Sequence, residues 1–234
     1  MAEWAQKVFW SEVSVGPVEN GFAVLLDGRE VRTPLKSKLI VPTEAFAKEI
    51  AKEWASLEDK VDPEKLPLTK MANAAIDKVS VQYDTIIPML AEYATTDLLC
   101  YRATRPAGLV ERQEEIWGPL LKWFSAEYNV TLQVGSGVMP ISQPSDVLVK
   151  CSEILRKYTF FELAAVYDLI SLSGSFVIGL AAADKKLSVS EAWSASRIDE
   201  EWQIQEWGED EEASDLALTR QQAFARSSFV LDLI

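Results

Sequence analysis

The chain has 234 residues and no histidine. That absence removes Ser-His-Asp and Cys-His catalysis, imidazole metal sites and a histidine pH switch. Cysteine is scarce: Cys100 and Cys151 are 51 positions apart, and neither has a CxxC neighbour. They read as small buried apolar residues in a reducing compartment, not as a zinc or redox pair. No Gly-rich phosphate loop is present; LSGSFVIG at 172–179 has neither the lysine nor the spacing. The longest apolar stretch, FVIGLAAA at 176–183, is far too short to span a bilayer. The opening MAEWAQKVFW carries no signal-peptide core. These gaps predict a soluble protein with no cofactor, no metal and no membrane insertion.

Positive charge is the scarce sign. Lys and Arg total 23 against 36 Asp and Glu, for a net charge of −13. Residues 1–80 hold 11 bases and 13 acids; residues 81–234 hold 12 and 23. The second part would repel nucleic-acid phosphates and anionic membranes, and it suits a basic or Arg-bearing protein partner. Apolar residues at 48% are enough for a packed core. Eight tryptophans are many for this length and place some at a recognition surface.

The pattern predicts an α+β fold: a small N-terminal β-rich domain with one helix (1–65), then a larger all-helical C-terminal domain (66–234). Residues 8–41 read as strands, with Asp27-Gly28 as a hairpin turn and KSKLIVP (36–42) as a further strand. Thr43 caps a helix whose Phe46, Ile50 and Trp54 share an apolar face. EDKVDPEKLPLTK (58–70) is a connector. Helices are expected over 69–79, 83–95, 106–128, 144–157, 159–183, 188–207 and 211–231. The segment 129–144 interrupts them with extended and turn residues. The 161–183 stretch is apolar nearly all round and should be the buried central helix. Its small residues, Ser171 to Gly179, allow close helix approach.

SRIDEEWQIQEWGEDEEASD (196–215) carries nine carboxylates, two tryptophans and one arginine. At helical spacing, Asp199, Gln203, Glu206 and Asp210 fall in one arc. Ile198 and Trp202 share a second face, Ile204 and Trp207 a third. If Gly208 ends the helix, Asp210 leaves the stripe and EDEEASD begins the next helix. Three readings stand open: a solvated acidic turn, a binding surface for a basic partner, and carboxylate catalysis or Ca²⁺/Mg²⁺ binding.

Six ordered blocks bear on that choice: FAVLLDGREVRTP (22–34), LIVPTEAFAKEIAKEW (39–54), LPLTKMANAAID (66–77), TTDLLCYRA (95–103), IWGPLLKWF (116–124) and SRIDEEWQIQEWG (196–208). With KVFW (7–10), they resemble the ATP synthase F(1)-sector assembly chaperones that escort the α subunit. The resemblance implies a chaperone, not an enzyme. It would hold the free α subunit and shield its β-facing surface until the α/β ring forms. It also implies a cytoplasmic protein in a bacterium, or a mitochondrial-matrix protein in a processed eukaryotic form. The family's acid in the SR-aliphatic-acid block carries over to Asp199. Trp54 matches another position important in the family, and from the residues it reads as a structural anchor. The expected partner surface is Asp199, Glu200, Trp202, Gln203, Glu206, Trp207 and Asp210. The alternative is a hydrolase using a pair such as Glu114/Glu115 or Glu200/Glu206.

Overall fold

The computed structural model describes residues 7–137 and 139–234. Residues 1–6, the start of the opening stretch, and Val138, inside the 129–144 segment, lie outside them. The fold is α+β, with a strand region first and mostly helices after it. Its contacts group the described residues into two units. One holds 7–83 with Phe160–Ala164 and Phe229–Ile234; the other holds Asp84–Thr159 and Ala165–Ser228.

The first unit is built on a small sheet. Strand β1 (Val13–Val18) pairs antiparallel with β2 (Gly21–Leu26). The far side of β2 is shared by β3 (Arg29–Glu30) and β4 (Ile40–Val41). The β2–β3 turn is Asp27-Gly28, with φ of 47° and 77°. Two successive left-handed residues match the twist of the flanking strands, which favours Asp-Gly there. Of the expected 36–42 strand, Ile40–Val41 pairs with β2 at Phe22 and Ala23, while Lys38 forms an isolated bridge with Arg32. Helix α1 (Glu44–Ala55) covers the sheet, and Thr43 Oγ1 caps it by accepting from the Phe46 amide (3.1 Å). Phe46 and Ile50 are fully buried, each contributing about 2–3 kcal/mol of apolar transfer.

Trp54 sits differently from those two. It is half-buried, its Nε1 donates to Thr69 Oγ1 (3.1 Å), and its ring lies 5.4 Å from that of Trp10. Its neighbour Glu53 accepts from the Leu68 amide (2.6 Å), the Thr69 amide (2.9 Å) and Thr69 Oγ1 (2.7 Å). Helix α2 (Pro67–Ala74) has no side-chain cap at its own N-cap residue, so a carboxylate from α1 satisfies its first amides.

Helices 69–79 and 83–95 of the sequence reading are one run. Residues after α2 form a π-helical turn (Ala75–Val79) that passes into α3 (Ser80–Ala91), with a kink at Gln82. The later helices are α4 (Ala107–Tyr128), α5 (Val147–Leu155), α6 (Phe160–Ser173), α7 (Phe176–Ala183), α8 (Val189–Ser196), α9 (Ile198–Trp207) and α10 (Glu211–Leu233).

Two expected helices are therefore each broken in two. The 159–183 helix stops at Gly174, which takes φ +69°; Ser175 then starts α7, its hydroxyl accepting from the Ile178 amide (3.0 Å). The 188–207 helix breaks at Arg197 (φ −115°, ψ 13°), between α8 and α9. In the second unit α7 is the buried centre, with Phe176 to Ala182 all buried. It packs against α4 and α8. A Cβ at Gly179 would stand 2.9 Å from the Ile170 backbone, so glycine permits the close approach of α6 and α7. Asp97, fully buried, holds the start of α7: its carboxylate accepts from the Val177 amide (3.0 Å) and Ser175 Oγ (2.8 Å). Burial pushes its pKa up to about 6, against the hydrogen bonds that favour the charged form.

A short parallel pair completes this unit. Strand β5 (Tyr101–Arg102) pairs with β6 (Gly135–Ser136). The segment carrying β5 leads directly into α4.

Candidate functional site

Helix α9 has two open sides, and each borders a groove. The first groove, about 540 Å³, runs between α9 and the segment from β5 into α4. Asp199, Trp202, Gln203, Glu206 and Trp207 form its α9 wall, facing Arg102, Arg105, Leu109 and Gln113. The second, about 260 Å³, lies between α9 and α10, and takes in Glu200, Ile204 and Asp210. Gln203 and Trp207 border both, so they stand on the ridge between the grooves. Trp207 is 81% exposed and Ile204 40%.

The α9 wall is held by buried polar bonds. Gln113 on α4 is almost fully buried; its Nε2 donates to Asp199 Oδ1 (2.6 Å) and its Oε1 accepts from the Ala103 amide (2.8 Å). One glutamine thus ties β5, α4 and α9 together. Arg102 lies beneath. It donates to the carbonyls of Leu99 (2.9 Å) and Gln113 (2.6 Å), and its guanidinium sits 5.2 Å from the Trp117 ring centre. Trp117 Nε1 in turn donates to the Ala195 carbonyl (2.7 Å), linking α4 to α8. Arg112 and Glu201 pair at 2.6 Å across α4 and α9.

Trp202 is seated by a missing side chain. A Cβ on Gly108 of α4 would come within 2.8 Å of Trp202 Cη2. The indole therefore lies over the first turn of α4, half-buried, as one apolar surface of the groove.

The groove has an aromatic floor and ridge, with carboxylates on one wall. The family model for the ATP12 chaperone protein matches residues 7–125. The chain belongs to the ATP12 chaperone family. The crystal structure of Atp12 from Paracoccus denitrificans is 42% identical, covers 99% of each chain and superposes with a TM-score of 0.95. An Asp-to-Lys mutant of that protein gives the same figures. A candidate chaperone from Agrobacterium tumefaciens is 35% identical over 97% of this chain and 85% of its own, with a TM-score of 0.90. The mitochondrial protein atp12 of Schizosaccharomyces pombe is 26% identical over 221 residues, 89% of this chain and 76% of its own. ATP12 is a family of chaperones, not of enzymes.

Within this ATP12 fold the seven expected surface residues divide. Asp199, Trp202 and Glu206 border the first groove, Glu200 and Asp210 the second, and Gln203 and Trp207 both. Gly208 (φ +90°) ends α9, and Asp210 leaves the stripe to cap α10, accepting from the Ala213 amide (2.8 Å). Glu200 pairs with Arg197 (2.9 Å). Glu200 and Glu206 do not share a groove. Glu114 turns toward Arg102 (3.8 Å).

Sequence reasoning missed the opposite wall. Arg102, Arg105, Leu109 and Gln113 lie about 90 positions from α9, and only tertiary packing joins them. The block TTDLLCYRA held the one available hint.

Proposed function

We propose that this ATP12-family chain is an assembly chaperone for the F(1) sector of ATP synthase. It binds the free α subunit at the α9 surface and shields the face that later meets β. The observation that carries this reading is the first groove. It combines the indoles of Trp202 and Trp207, a residue type enriched at protein–protein hot spots, with the carboxylates of Asp199 and Glu206, which complement a basic partner. A basic side chain of α would meet the acids while an apolar neighbour covers Trp202. Displacement by β then returns the chaperone free. In a bacterium the site of action is the cytoplasm, and in a eukaryote the mitochondrial matrix.

The experiment is capture from separately expressed F(1) subunits on immobilised protein. Retention of α, without retention of β or γ, is the expected outcome. Retention of β in preference to α would overturn the reading.

A further inference from the structure

The first groove is not simply acidic. Arg105 stands on the wall facing α9, is exposed, and makes no hydrogen bond or ion pair among the described residues. Its neighbours are committed. Arg102 is spent on two carbonyls and Trp117, Arg112 on Glu201, and Arg197 on Glu200. In a chain with 36 acids, a groove arginine left without any of them is conspicuous.

The backbone adds to the same sign. Helix α4 begins two residues after Arg105, has no acid in its first turn, and its N-cap Pro106 offers no side-chain acceptor. The positive end of its dipole is left uncompensated beside Arg105. Across the groove, Asp199 uses one carboxylate oxygen on Gln113, and Glu206 is exposed with no ion pair among the described residues. One wall is unpaired positive and the other unpaired negative.

We propose that the groove selects a client segment carrying both signs, with a carboxylate that meets Arg105 and a basic side chain that meets Asp199 and Glu206. This rests on the reading of the groove as the α-subunit site, and it specifies the segment's chemistry. The net charge of −13 argues the opposite. If bulk attraction of a basic client decided affinity, replacing Arg105 by an acid would tighten binding. Local complementarity makes the same change weaken it.

The test is equilibrium affinity of isolated α subunit for the full chain at moderate salt. Four proteins are compared: wild type, Arg105→Glu, Arg105→Ala and Arg220→Glu. Arg220 is exposed on α10 and borders neither groove. Arg105→Glu and Arg220→Glu change net charge equally. The expected result is at least a tenfold loss for Arg105→Glu, a severalfold loss for Arg105→Ala, and less than a threefold change for Arg220→Glu, with unchanged melting. Equal or tighter binding by Arg105→Glu, or equal losses at Arg105 and Arg220, overturns the proposal. Failure of wild type to bind α removes the underlying reading as well, and that outcome is separate from a failure confined to Arg105.

Discussion

Replacing Asp199 by lysine perturbs the fold as well as the surface. On the sequence alone, Asp199 is a helix-surface charge whose reversal costs roughly 0.5 kcal/mol or less. The structure corrects that. Its carboxylate accepts a 2.6 Å bond from the buried Gln113 amide, and it sits in the first turn of α9. Losing a hydrogen bond to a charged acceptor costs about 1.5–3 kcal/mol. Exchanging an anion for a cation at a helix N-terminus adds about 0.5–1 kcal/mol. Asp199 is only half-buried, so the lysine stem can carry its ammonium into water. The expected loss is about 2–4 kcal/mol, against a typical total of about 5–15 kcal/mol, and the variant remains folded. For a chain of this size that lowers the melting temperature by roughly 5–15 °C. Glu206→Lys is the internal control. It is exposed, accepts no bond among the described residues, and sits in the last turn, where a cation is favoured, so its stability should stay within about 0.5 kcal/mol of wild type. Urea titrations and thermal melts of both variants decide the matter. An Asp199→Lys stability indistinguishable from wild type would refute the role given to the Gln113 bond.

Trp54→Arg should destabilise by about 2–4 kcal/mol, from lost packing on Trp10 and the lost bond to Thr69, while Trp54→Phe keeps the packing and costs about 1 kcal/mol; equal urea midpoints for Trp54→Arg and wild type contradict this. Gly108→Ala should raise helix stability slightly, by up to about 1 kcal/mol, yet weaken α binding severalfold because the new methyl displaces the Trp202 indole; unchanged affinity with a higher melting temperature would show that Trp202 is not part of the surface. Asp97 should titrate near 6 rather than near 3.8, as followed by its carboxyl carbon in NMR. Because the folded pKa is the raised one, its contribution is full below pH 3.8 and lost as pH rises through about 6, a change of about 2 kcal/mol between pH 4 and 7. A midpoint at or below 4 contradicts it.

How much of this was legible depended on whether the signal was local. Asp27-Gly28, the Thr43 cap and the apolar α6–α7 stretch each announce themselves within a few residues. The break at Arg197 does not, because nothing there is a helix breaker. The break falls just before Ile198, which is fully buried. From the sequence Gly174 reads as a packing residue within one helix, and its left-handed conformation shows only in the fold. The β5–β6 pair joins two-residue strands over thirty positions apart, too short for any period to reveal. For the site, the α9 wall could be read from spacing 3 and 4, since a helix face is a local property. Its opposite wall could not, and neither could the buried glutamine that fixes Asp199.

The most direct test of the central claim is the affinity of isolated α subunit for Asp199→Asn. Asparagine keeps an acceptor for Gln113, so stability should change by only about 1 kcal/mol. Removing the charge from a desolvated pair with a basic α residue should still cost about 2 kcal/mol or more, roughly thirtyfold in Kd. The account predicts that loss, with a melting temperature close to wild type. Wild-type affinity in Asp199→Asn would contradict it, leaving the acids of α9 as solvated charge.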